Sequence, residues 1–206
     1  MTRIVASLAI ATALAVPAVT GGAQIIDRIL AVVDGAIIMQ SDVTMAMRLG
    51  LVPARSATDP TAETLGALID RRLILEEVDR YAPPDPADVD VDRHLADIRA
   101  RAGSKFDAVL LESGISLDQL RRHVRDDLRI EAYLQQRFGA MQPTEDEIAQ
   151  WYRDHQAAFT TNGVAAPLES VRETVRTQLI AERRGATIRD WLSGLRRRAN
   201  INVLTR

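Results

Sequence analysis

The 206-residue chain carries 26 basic and 28 acidic side chains, no cysteine and only 4% aromatic residues, and 47% of it is hydrophobic. That hydrophobic fraction supports a packed core and excludes wholesale disorder, while a formal net charge of −2 excludes the strongly basic surface of a dedicated nucleic-acid binder. The missing cysteine excludes disulfides, thiolate metal sites, cysteine nucleophiles and thioether-linked lipids.

Residues 1–23 read as a secretory signal peptide. Arg3 supplies a basic start, Ile4 to Val16 form an uncharged apolar stretch, and Gly21-Gly22-Ala23 precede a cut ahead of Gln24. Spanning a bilayer takes about 20 apolar residues, so this stretch suits export better than stable membrane insertion. The mature chain keeps 25 basic against 28 acidic side chains, and all but Lys105 of the basic ones are Arg.

Ile25 to Val33 is rich in β-branched residues. Asp34-Gly35 is a strong two-residue hairpin signal, and Ala36-Ile37-Ile38-Met39 resumes the apolar run. Ser41-Asp42 offers an N-cap for a short helix over 43–49, followed by a loop from Gly50 to Thr58. A helix is predicted from Pro60 to about Arg80, capped by Asp59, with Leu65, Leu68, Ile69, Leu73 and Val78 at helical spacing. Pro83-Pro84 stops it. Asp88 to Ala102 forms the next helix, with Val91, Leu95 and Ile98 on one face, and a short helix follows to Ser113.

Ser116-Leu117-Asp118-Gln119 is a capping box that opens a long helix to Phe138, with Leu117, Leu120, Val124 and Leu128 facing the core. Pro143-Thr144-Glu145-Asp146-Glu147 is a second box, starting a helix to about Phe159. Thr160 to Ala166 reads as loop. Pro167 begins a helical pattern running to about Arg198, with Gly185 as a candidate bend. Ile201-Asn202-Val203-Leu204 alternates like a strand, and a lone strand needs a partner. The only other strands lie at 25–39, so the two ends of the chain are predicted to meet in one small antiparallel sheet.

Catalytic and cofactor motifs are sparse. Asp88, Asp90 and Asp92 resemble the start of a calcium loop, but Arg93 and Arg99 stand where that loop needs Gly and Glu. The acids suit a helix N-terminus instead. His94, His123 and His155 are scattered, and no pair sits at i,i+4, which removes a zincin. There is no G-x-x-x-x-G-K-[ST], G-x-G-x-x-G or G-x-S-x-G, so neither nucleotide nor any other cofactor is implied. Arg121, Arg122, Arg125 and Arg129 are interleaved with Asp126, Asp127 and Glu131 and read as a mutually neutralised face. Arg196-Arg197-Arg198 complement a helix C-terminus. One positive feature remains. Met39, Met45 and Met47 cluster with Leu49, Leu51 and Val52 around the first short helix. Methionine is flexible and polarizable, so these six residues are candidates for an adaptable surface that binds unfolded chains.

The run Ile26-Asp27-Arg28-Ile29-Leu30-Ala31-Val32-Val33-Asp34-Gly35, with Ile38 and Ser41-Asp42-Val43, resembles the opening of the SurA-type periplasmic chaperones. Leu68-Ile69-Asp70-Arg71-Arg72-Leu73-Ile74-Leu75 is similar to that family's second helix, and Ser116-Leu117-Asp118-Gln119-Leu120 to its L-D-Q segment. Pro143 to Ile148, with Trp151-Tyr152 and Phe159, resembles the approach to the family's parvulin-type prolyl isomerase domain, and Leu168 to Leu204 the helix and strand beyond it. A parvulin domain needs roughly 90–100 residues, and here only 160–166 separate the flanking elements.

The resemblance therefore implies a mainly α, trigger-factor-like chaperone module with a small antiparallel sheet. Residues 24–159 would form its N-terminal region and 167–206 would complete the same domain. It implies an ATP-independent periplasmic holdase for unfolded or extended envelope and outer-membrane polypeptides, with no isomerase activity and no nucleic-acid partner. Two other readings stay open: a prolyl isomerase with an unrecognised site, and a non-chaperone interaction module of the envelope.

Overall fold

The computed structural model describes residues 27–52, 58–140 and 142–204. The signal-peptide segment lies outside the described residues. Strand β1 (Ile29–Val33) turns through Asp34-Gly35 into β2 (Ala36–Met39). Both turn residues have positive φ, +47° and +88°, which a tight hairpin of this length requires and glycine tolerates at no steric cost. The final strand, β5 (Ile201–Val203), pairs antiparallel with β1 on the other side, with Val32 opposite Asn202, giving the sheet order β2-β1-β5. The predicted meeting of the chain ends is therefore present. Asp34 reinforces it twice: its N–H donates to the Asn200 carbonyl (3.0 Å), and its Oδ1 accepts from the Asn200 N–H (2.8 Å).

Helix α1 spans Gln40–Arg48 and starts earlier than Ser41-Asp42 predicts. Asp42 sits in the first turn and reaches back to accept from the Met39 N–H at 2.8 Å, while the Ser41 hydroxyl bonds Asp27. Helix α2 (Pro60–Tyr81) has the cap expected of it: Asp59 Oδ1 accepts from the N–H groups of Thr61 and Ala62, both at 3.0 Å. Helix α3 (Asp88–Ala102), a 3-10 turn (Gly103–Lys105) and α4 (Phe106–Ser113) follow. Helix α5 (Leu117–Phe138) opens on the Ser116–Gln119 capping box. Leu117 is exposed, contrary to the predicted core face, because the first residue of the helix lies beyond its contact with α3.

Helix α6 covers Glu145–Asp154 and is shorter than its sequence pattern suggests. His155 leaves helical geometry, and a 3-10 turn (Gln156–Phe159) leads into a two-stranded hairpin, β3 (Thr160–Thr161) and β4 (Val164–Ala165). The segment read as loop is thus a hairpin closed by Asn162-Gly163, again with positive φ at both positions. Helix α7 (Leu168–Arg198) runs without a break through Gly185, at about 1.5 Å per residue a rod of some 46 Å.

Four apolar clusters hold these elements. The sheet packs Leu30, Val33 and Ile38 onto Val43 of α1, onto Leu65, Leu68, Ile69 and Leu73 of α2, and onto Leu195 of α7. Met45 and Leu49 of α1 join Val91, Ile98, Phe106, Leu120 and Val124 in a second cluster formed with α3, α4 and α5. Ile74, Val78 and Tyr133 form a third, covered by Trp191 and Leu192. The fourth belongs to α6 and the first half of α7 alone, and contains Ile148, Tyr152, Val175 and Leu179. Burying each Leu, Ile or Val side chain contributes about 1.5–3 kcal/mol. Helix α1 is the keystone, since its opposite faces enter two different clusters.

Ion pairs fasten the exterior. The Arg stripe of α5 is neutralised mainly by acids of other helices: Arg121 pairs with Asp92, Arg125 with Asp88, and Arg129 with Asp79 at 2.8 Å. The three aspartates at the start of α3 thus face arginines, Asp90 taking Arg93 of its own helix. Arg196 pairs with Asp70 and donates to the Gly66 carbonyl (3.0 Å), tying α7 to α2.

Candidate functional site

The surface beside β2 combines a free strand edge with an open groove. In the hairpin ladder, Ala31 and Val33 face β2, because Leu30 and Asp34 bond toward β5. Alternation along the strand then turns the N–H and C=O of Ile37 away from β1, toward an edge that no other strand among the described residues covers. Ile37 is 53% exposed. Between this edge and helices α2 and α5 lies a groove of about 210 Å3. Ile37, Ile38, Met45, Leu68 and Leu75 supply its apolar surface, and Asp42, Arg71, Arg72, His123 and Asp126 its polar surface.

The polar wall is ordered by Arg71. Its Nε donates to Asp127 Oδ1 at 2.7 Å, its Nη2 donates to the His123 carbonyl at 2.9 Å, and Asp126 Oδ2 lies 3.6 Å away. His123 Nε2 is 3.3 Å from the other Asp127 oxygen. Burial holds the His123 imidazole below its ordinary range, outweighing the opposite pull of Asp127. The wall therefore presents a neutral imidazole and a compensated guanidinium, so an apolar or main-chain ligand meets little uncompensated charge.

A second groove, of about 170 Å3, runs on the far side of Asp127 between α3 and α5 and is lined by Leu51, His94, Ile98, Arg101, Val124 and Leu128 among others. The six residues singled out from the sequence divide between surface and interior. Met45 borders the first groove but is only 3% exposed and packed in the same core as Leu49, and Leu51 lines the second groove. Met47 is 41% exposed, and Met39 and Val52 are half-buried, Val52 against the sheet cluster. Leu49 is 3% exposed and wholly engaged in the core of α1, α3, α4 and α5.

Sequence reasoning missed Ile37, Arg71, Leu75 and His123. Ile37 was within reach: a three-stranded sheet whose centre is β1 makes β2 an edge. The i,i+4 spacing of His123 and Asp127 is also visible in the sequence. Their partnership with Arg71, 52 positions away from His123, is a product of the helix packing.

No family model matches the sequence, and no curated protein matches it. Among solved structures, the chain is similar to one from work on PEB4 and Cj1289 of Campylobacter jejuni, described there as two structurally related SurA-like chaperones. The likeness has a TM-score of 0.54 at 15% identity and covers 86% of this chain and 99% of the other. It is a likeness of fold: a mainly helical SurA-like architecture with a small three-stranded antiparallel sheet.

Proposed function

We propose that this protein is an ATP-independent holdase that works in the periplasm, binding extended, partly apolar segments of unfolded envelope and outer-membrane proteins. The fold likeness to a SurA-like chaperone, extending over nearly the whole of that chain, carries the reading. The groove beside Ile37 supports it. An extended client strand finds a main-chain donor and acceptor at the strand edge and an exposed apolar contact at Ile37. Grooves of this size favour modest affinity, because ordering the client costs entropy, and release then follows by equilibrium. The reading includes export by the 1–23 signal peptide and a binding surface drawn from Met39, Met45, Met47, Leu49, Leu51 and Val52, of which Met45 and Leu49 are its buried support. It also takes the hairpin over 160–165 to stand where relatives would carry an inserted isomerase domain, so that no isomerase chemistry is performed.

The test is suppression of aggregation of an unfolded outer-membrane protein, without nucleotide. Protection is expected at one- to several-fold molar excess, weakened several-fold by Ile37→Asp. Absence of protection at tenfold excess overturns the reading. Turnover of Xaa-Pro peptides well above background would instead establish an isomerase, and co-purification of one stoichiometric partner an assembly subunit.

A further inference from the structure

Four of the eight aromatic side chains of this aromatic-poor protein gather where the end of α2 meets α5 and α7. Their rings form a continuous row: Tyr81 and Tyr133 have centroids 5.7 Å apart, Tyr133 and Trp191 6.0 Å, and Trp191 and Phe138 5.4 Å. The Arg137 guanidinium lies over the row, 5.5 Å from the Phe138 and Trp191 rings and 6.0 Å from Tyr133. Beside it opens a cavity of about 270 Å3 lined by Tyr81, Pro83, Tyr133, Gln136 and Arg137.

The hydrogen-bonding inventory of this cavity is one-sided. Arg137 has no carboxylate partner among the described residues, a condition it shares with Arg101, Arg122 and Arg197, but it is set over an aromatic row. Tyr133 is only 4% exposed, and its hydroxyl has no hydrogen-bond partner. A buried donor without an acceptor is destabilising. Burial also raises the phenol's pKa, so it keeps its proton and remains a donor at neutral pH. Gln136 adds an exposed amide. The accessible side chains thus offer a cation and the Gln136 amide against aromatic and proline faces, with Tyr81 61% exposed at the rim and the Tyr133 hydroxyl sealed behind it. Charge complementarity selects an anionic acceptor attached to an apolar group, and guanidinium geometry suits a planar carboxylate.

We propose that this cavity binds the C-terminal end of a polypeptide whose last residue is apolar, with the α-carboxylate on Arg137 and the side chain against Tyr81 and Pro83. A free α-carboxylate occurs only at a C-terminus, and that is what separates this ligand from a through-running segment. The inference deepens the holdase reading and rests on it for the class of ligand, but it occupies a different surface from the groove beside Ile37.

The test uses the full chain and N-terminally labelled Gly-Ser peptides ending in Phe, prepared as the free acid, as the C-terminal amide, and as an amide with Glu before the Phe. Fluorescence anisotropy should show the free acid bound at least tenfold more tightly than either amide. Arg137→Gln should erase that ratio, and Tyr81→Ala should weaken the free acid severalfold. In a Trp151→Phe background, binding should change the emission of Trp191, whose ring lies beside the cavity against Tyr133 and under Arg137. Equal binding of acid and plain amide, or an acid preference retained by Arg137→Gln, overturns the proposal. Equal binding of the free acid and the Glu-containing amide overturns the assignment to a chain terminus. Aggregation suppression by the same protein preparation separates the two readings: its persistence alongside equal acid and amide binding discards the cavity alone.

Discussion

His123 is a titratable group buried in the wall of a groove, and its behaviour with pH is set by what surrounds it. Asp127 and Asp126 on α5, Asp42 on α1 and Arg71 on α2 all act on it, yet desolvation is the largest effect and favours the neutral ring. In the unfolded chain the same imidazole takes a proton near pH 6.5. As pH falls below that value, the unfolded state binds a proton that the native state refuses, so native stability declines, levelling off only beneath the depressed native value. Urea unfolding between pH 7.5 and 5 should therefore show a smaller loss of stability for His123→Gln than for the unsubstituted protein. Identical pH slopes would contradict the assigned role of burial. At this scale the caps were the most legible features: Asp59 and the Ser116 and Thr144 boxes work as their sequences dictate, because a cap is a local bargain among four neighbouring residues. The Arg stripe was legible as neutralised but not as to its partners, since Asp79, Asp88 and Asp92 reach it only after α2 and α3 have packed.

Among the elements, α7 belongs to two neighbourhoods. Its second half enters the sheet cluster through Leu195 and the aromatic row through Trp191, while its first half packs on α6. Glu145 pairs with Arg172 and Arg176, and Trp151 Nε1 donates to Glu182 at 2.6 Å, so this α6–α7 arm carries its own outer clasp as well as a small core. A core of four buried residues opens more readily than the larger ones. Leu179→Ala removes contacts worth about 2–5 kcal/mol. Hydrogen exchange should accelerate across 145–154 and 168–182 and stay unchanged in the sheet; equal acceleration everywhere would mean the arm and body unfold as one unit. The Asn162-Gly163 hairpin was legible in principle, being a preferred two-residue turn, but its strands are too short for alternation to declare itself. The end of α6 was not, because Ala157 and Ala158 are good helix formers, and the break at His155 coincides with a side-chain arrangement the sequence does not announce: its ring stacks on Trp151 (centroids 4.0 Å) and its Nδ1 meets the Trp151 carbonyl at 2.9 Å.

For the molecule as a whole, the decisive inference from sequence was that a lone terminal strand must find a partner, and β5 does find β1. What sequence could not supply was the division of buried positions between one core and several, which left Leu49 looking as available as Met47. Removing residues 200–206 deletes the ladder at Val32–Asn202 together with the bonds of Asn200 to Asp34 and of Leu204 to Leu30. At about 1 kcal/mol for each hydrogen bond, the loss is roughly 3–5 kcal/mol, and Tm should fall by about 10 °C in calorimetry. A truncated chain melting within 2 °C of the intact one would show that the third strand is dispensable.

The clasp between Asp34 and Asn200 joins positions 166 residues apart. Closing a flexible loop of that length costs on the order of 4–5 kcal/mol in chain entropy, whereas the helix pairs between them form from nearer contacts. Assembly of the helices shortens the gap before the clasp can close, so the docking of β5 onto the preformed β1–β2 hairpin is expected to be a late event in folding, which stopped-flow refolding of an Asn200→Ala variant would test.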